Sequence, residues 1–164
     1  MSIYIKFLGL ALLLVSSLAT VKRYREYTAK RISEEESFVA LLVFIKGRIN
    51  RYLTPIPEIV KEFSDEQLSR VGFLSEVSSG KSISAAFESI ADKLSLGNEF
   101  KVSLQNLFPT LGVGYKEEVL ANIEETVEDL EKILEKEKEI LPKDVKVFSS
   151  VLVAGVLGVF IFLA

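Results

Sequence analysis

Ser79-Gly80-Lys81-Ser82 is the stretch of this 164-residue chain that comes nearest to a chemical motif. A Gly-Lys-Ser ending is how a phosphate-binding loop offers a lysine and a hydroxyl to a nucleotide. That loop needs another glycine five residues before Gly80, and position 75 is a serine. It must also follow a buried strand, whereas the residues before Ser78 read as an amphipathic helix. Gly80 is better understood as a helix stop and Ser82 as the cap of the next helix. Glu124 and Glu128, one turn apart, have the spacing of metal ligands, but helical di-metal sites add a Glu-x-x-His from two helices. The chain has no histidine and no cysteine. These absences remove the commonest general base near neutral pH, thiolate chemistry, disulfides and cysteine-ligated zinc. We therefore expect no catalytic, cofactor-binding or metal site, and a protein that is not an enzyme. A net charge of −3 argues against nucleic acid as a partner.

The informative feature is where the charges lie. Ile3 to Val21 carries one charge, Lys6, and Val147 to Ala164 carries none. Wound as helices these blocks span roughly 28 and 27 Å, close to the hydrocarbon thickness of a bilayer. The expected organisation is a transmembrane helix over residues 1–21, a helical domain over 22–146 and a second transmembrane helix over 147–164. Two other readings stand beside it. Either block could be a buried core helix, and the first could be a cleaved secretory signal, with Phe7 to Val15 as its apolar stretch and Ser17-Leu18-Ala19 as the cleavage site. Against a cleaved signal, Lys22, Arg23, Arg25, Lys30 and Arg31 follow the first block directly. Lys143 and Lys146 precede the second. Cations on both inner flanks place the intervening domain in the cytoplasm. In the second block Ser150, Ala154 and Gly158 recur every four residues, a spacing that lets membrane helices pack closely.

Between the blocks the pattern is helical throughout, giving an all-α bundle of about six helices. The first helix is expected to continue to about Tyr52, with its most apolar part, Phe38 to Ile45, at the centre of the bundle. Thr54-Pro55-Ile56-Pro57 breaks it. A short segment follows from Pro57 to Phe63. Ser64 with Gln67 resembles a capping box opening a helix from Asp65 to about Val77. Further helices are expected from Ser82 to Leu94, from an Asn98 cap through Leu107, and from Tyr115 to Leu141. Pro142 should bend the chain where the last of these meets the second block.

Between Glu117 and Glu139 lie ten acids and three lysines, a balance of −7, whereas Lys22 to Arg51 holds eight bases and four acids, a balance of +4. Such faces are most simply solvated surface, or the two helices neutralise each other as antiparallel neighbours. As a functional alternative, Glu124, Glu125 and Glu128 form a face for docking a partner.

The order of features resembles the stage III sporulation protein AB family of endospore-forming bacteria. The resemblance rests on Phe108, Leu111 and Gly112 in a Phe-x-x-Leu-Gly segment, the long charged helix after it, a glycine-containing terminal block, and Thr54-Pro55 after the first helix. It implies a fold like the cytoplasmic domains of type II secretion F proteins, the inner-membrane platform of secretion and pilus machines. It further implies a multi-pass protein of the outer forespore membrane, its domain on the mother-cell side. Its partners would be other subunits of the mother cell–forespore channel and a cytoplasmic secretion-type ATPase; self-association is left open. From another functional class, a membrane-anchored adaptor or regulator binding a soluble signalling protein would have the same pattern.

Reporter fusions test the topology: fusions at residues 1 and 164 should report a non-cytoplasmic location. A fusion at residue 164 active only in the cytoplasm would overturn it.

Overall fold

A computed structural model describes the backbone of residues 3–51 and 55–163, with the side chains of residues 3–7, 10, 50–51, 160 and 162–163 outside the description. The order is α1 (Ile3–Arg51), α2 (Ile56–Lys61), α3 (Glu66–Arg70), α4 (Phe73–Ser78), α5 (Ile83–Ile90), α6 (Asn98–Leu107), a 3-10 turn (Phe108–Thr110) and α7 (Lys116–Leu163). The all-α class is as expected, with no strand among the described residues. The chain divides into two compact units. One is residues 30–137; the other comprises the outer parts of α1 and α7, up to Ala29 and from Lys138.

Local chemistry explains where the helices begin and end. The single helix expected from Asp65 to Val77 is two, because Gly72 adopts φ +89° and its N–H closes α3 onto the Ser69 carbonyl. Asp65, rather than Ser64, caps α3: its Oδ1 accepts the Leu68 N–H at 2.8 Å, and its Oδ2 accepts the Ser37 hydroxyl of α1 at 3.1 Å. Gly80, at φ +96°, ends α4 as expected, with the Gly80 and Lys81 N–H groups returning to the Val77 and Glu76 carbonyls. Ser82 caps α5 through a 3.2 Å bond from the Ala85 N–H. α5 stops at Ile90, short of Leu94, and Gly97 rather than Asn98 occupies the cap position of α6. α2 opens one residue early, at Ile56, behind Pro55. Part of the expected break after Tyr52 lies outside the described residues. α7 runs unbroken through Pro142.

The core of residues 30–137 forms around α1. Phe38, Leu41, Leu42 and Ile45 are fully buried, as their density in the sequence suggested, yet Ala40, Val43 and Gly47 on the opposite side are exposed. Phe38 packs edge-on against Phe73 at 5.4 Å and Phe87 at 5.5 Å, and Phe108 closes the group 5.1 Å from Phe87. α7 contributes Val119, Ile123, Val127, Leu130 and Leu134, an apolar stripe at three-to-four-residue spacing.

The other unit has a different surface. Tyr24 and Phe148 pack at 5.3 Å, and Val145 and Val156 are buried. Leu8, Leu12, Leu18, Val147, Val151, Leu157 and Ile161 are exposed. Among the described residues no helix is long and apolar enough to cross a membrane. Both expected spans include positions whose side chains lie outside the description, so the flanking transmembrane helices remain an expectation.

A chain cut to residues 22–146 should fold cooperatively as helix in urea and circular-dichroism measurements, and an unfolded spectrum would overturn an independent core. In that fragment Phe38→Ala should cost about 3–5 kcal/mol through lost burial and the cavity left among three rings.

Candidate functional site

The acids singled out from the sequence do not share one environment. Glu124, Glu125 and Glu128 are all exposed on α7. Glu124 pairs with Lys46 of α1 at 2.7 Å, so part of the opposite charge on the two long helices is matched inside the bundle. Glu125 turns to an open groove of about 350 Å³ between α6 and α7, beside Ser103, Asn106, Thr126 and Asp129. Ser150, Ala154 and Gly158 are exposed too, and the Ser150 hydroxyl returns to the Lys146 carbonyl at 2.9 Å. The side of α7 turned inward in that unit carries Val145, Ser149, Leu152 and Val156 instead. Lys81 of the Gly-Lys-Ser stretch is engaged by Glu76, whose carboxyl is held below its ordinary range chiefly by that lysine's hydrogen bond.

The densest polar chemistry lies where the sequence reading did not look. Between α5 and α6 the chain runs without helix from Ala91 to Gly97, with Asp92 and Lys93 exposed, Ser95 and Gly97 buried, and Leu94 and Leu96 packed against the core. Burial leaves its N–H groups in need of acceptors. The Ala91 and Lys93 N–H groups return to the Glu88 and Ile90 carbonyls, and α1 supplies acceptors for Ser95 and Gly97. Glu34 Oε2 accepts the Ser95 N–H at 2.6 Å, and Glu35 Oε1 accepts the Gly97 N–H at 2.8 Å. Lys30 donates to the Lys93 carbonyl at 3.3 Å and stands 3.4 Å from Glu34 Oε1. Alternate residues of the loop, 93, 95 and 97, are thus held by Lys30, Glu34 and Glu35 of one helix.

Both glutamates have no exposed surface. Arg31, one turn before Glu35, donates to it at 3.3 Å and also donates to Glu137 of α7. Burial alone would lower the Arg31 pKa, but the hydrogen bond and charge of Glu137, and then of Glu35, hold it above its ordinary value. Glu35 is pushed up to about 7. Burial is the largest cause and Glu137 adds to it, against the Gly97 N–H and Arg31, which lower it. Gly97 admits this approach because it has no Cβ; one placed there would lie 2.2 Å from Arg31 Nη2 and 2.6 Å from Glu137 Oε1. The sequence did carry a signal: Glu137 interrupts the apolar stripe of α7, and Glu34 and Glu35 lie one turn before Phe38 on the buried side of α1. Charges at core-facing positions on two helices imply a buried network.

The fold and this network define an all-helical protein whose polar interior joins helices and a loop rather than exposing reactive groups. The chain matches the family model of stage III sporulation protein AB over residues 6–164, and it belongs to that family, which gives it a role in stage III of sporulation. No curated protein and no solved structure matches it.

Two glycine substitutions separate this packing from general backbone effects. Gly97→Ala should lower stability by about 1–3 kcal/mol in denaturant titration, because the methyl displaces Arg31 or Glu137. Gly47→Ala, on an exposed helical position with nothing within 4 Å, should be neutral or stabilise by up to about 1 kcal/mol. Equal effects would show that the network does not constrain position 97.

Proposed function

We propose that the chain is a non-catalytic platform subunit of the sporulation channel between mother cell and forespore. In this reading the outer parts of α1 and α7 hold it in the membrane, and residues 30–137 dock a secretion-type ATPase on the cytoplasmic side. The observation that carries the proposal is the exposure of apolar side chains along both helix ends, Leu8, Leu12, Val15 and Leu18 on one and Val147, Val151, Leu157 and Ile161 on the other. An apolar surface of that extent calls for lipid or another protein. The hydroxyls among these residues support lipid as the medium. Ser16 bonds the Leu13 carbonyl, Thr20 the Ser16 carbonyl and Ser150 the Lys146 carbonyl, so each is satisfied within its own helix. The outward-facing Ser150, Ala154 and Gly158 then suit close packing against another channel subunit or a second copy.

The docking face remains the acidic surface of α7. The Lys46–Glu124 pair is partly exposed and contributes about 0–1 kcal/mol, which leaves Glu124, Glu125 and Glu128 largely free of a structural duty. Replacing all three with lysine should therefore change stability by no more than about 1 kcal/mol while abolishing capture of the ATPase and spore formation. Normal capture and normal spores in a stable triple variant would reduce the face to solvated surface. A large loss of stability would instead show that α1 and α7 depend on their charge pairing.

A further inference from the structure

Glu35 and Glu137 accept from the same Arg31 guanidinium, and Glu34 Oε1, Glu35 Oε2 and Glu137 Oε2 are buried without a hydrogen-bond donor. With every side chain ionised, Arg31, Glu35 and Glu137 leave one negative charge in excess inside the bundle. A proton held between the Glu35 and Glu137 carboxyls removes that charge and gives both Oε2 atoms a partner. We propose that this shared proton operates a latch, which when protonated binds α1, α7 and the Ala91–Gly97 loop together and when deprotonated lets the loop open more readily.

Geometry ties the three elements into one unit. Glu35 Oε1 receives both the Arg31 guanidinium and the Gly97 N–H. Arg31 reaches on to Glu137, and the absent Cβ of Gly97 is what lets that pair lie against the loop. Glu137 cannot move away from Glu35 without disturbing Arg31, nor Arg31 without disturbing the loop. Among the described residues the charged groups around Glu35 are Arg31 and Glu34 on its own helix and Glu137 on α7, and Lys101 of α6 donates to the loop's Ala91 carbonyl at 3.3 Å. Glu34 is matched by Lys30 at 3.4 Å. The loop presents backbone groups to the cluster, while its Asp92 and Lys93 side chains are exposed. Arg31 is therefore the cation shared by the two facing carboxylates, and the proton supplies the missing positive charge.

The direction of the pH effect follows from the closed state holding a proton that the open state releases. Glu35 stands at about 7 in the folded chain against an ordinary 4.5. The latch is therefore tightest below pH 4.5 and weakens as pH rises to about 7. Across that window its opening equilibrium grows roughly tenfold per unit, and above it no further.

Amide hydrogen exchange on the full chain in detergent micelles reads this directly, after correction for the intrinsic pH dependence of exchange. Protection of the Ser95 and Gly97 amides should fall roughly tenfold per unit between about pH 5 and 7 and level off beyond. Glu35→Gln should keep both amides protected and flatten that slope, because a carboxamide still accepts the Gly97 N–H and donates to Glu137 without titrating. Protection independent of pH in the parent chain overturns the latch whatever the variant does. The same slope in Glu35→Gln as in the parent assigns it to another group and overturns it as well. If Glu35→Gln does not fold, Glu137→Gln replaces the facing carboxylate with an amide donor. It should shift the pH window downward and make the fall shallower, since burial still raises Glu35; an unchanged window would overturn the shared proton.

Discussion

A loop partly buried against a packed core must find acceptors for its buried N–H groups, because an unpaired buried amide costs about 1–3 kcal/mol. In this bundle the acceptors are carboxylates on the central helix, and the arrangement depends on them. α5 ends at Ile90 and α6 begins at Asn98, so beyond the Lys93 N–H, which returns to the Ile90 carbonyl, the connection has no helical bonds of its own. Glu34 and Glu35 take the place of a neighbouring strand, receiving the Ser95 and Gly97 N–H groups. Their burial brings a second requirement, since buried charge must be compensated. Arg31 and Lys30 answer it from the turn before, and Arg31 draws in Glu137. One connection without regular structure thus dictates five charged residues and a glycine on three elements.

The same helix carries the apolar half of the design. Phe38 lies one turn beyond Glu34 and Glu35 and is the ring on which Phe73 and Phe87 close. The spacing sets both networks on one side of α1, so a rotation that favoured one would displace the other. Aromatic packing, which is tolerant of small shifts, therefore shares a register with hydrogen bonds that are not. The exposed Ala40, Val43 and Gly47 behind them add little packing, which fits a helix held almost wholly from one side.

Most of the fold was legible because its signals are local. The apolar stripe of α7, the cluster from Phe38 to Ile45 and the stops at Gly80 and Ser82 can each be read from residues within a few turns. The errors were local conflicts of small energy. Gly72 interrupts a segment whose apolar spacing continues through it, and Asp65 outcompetes Ser64 as a cap because it also reaches Ser37 of a distant helix. The buried network was not legible as a unit, for its members stand at 31, 34, 35, 97 and 137. Glu137 registered as an interruption in a stripe, but nothing nearby in sequence names Arg31 as its partner. Gly97 reads as a helix stop, although its φ of −61° requires no glycine and the need comes from side chains of two other helices.

The two units face different demands on polar groups, and the side chains follow them. In residues 30–137 buried carboxylates are matched by cations and backbone N–H groups from other parts of the chain, a solution that requires tertiary contacts to be in place. Over the apolar stretches 8–21 and 147–161 of the outer helices the polar residues are serines and a threonine, and Ser16, Thr20 and Ser150 each bond a carbonyl of their own helix. Such bonds form with the helix itself and need no partner element. A helix with self-satisfied hydroxyls and an apolar exterior can therefore be stable before anything packs against it, as insertion into lipid would require. The bundle cannot, because Glu34 and Glu35 become tolerable only once the loop and α7 have arrived. The helix ends can form on their own, whereas the bundle forms as a whole.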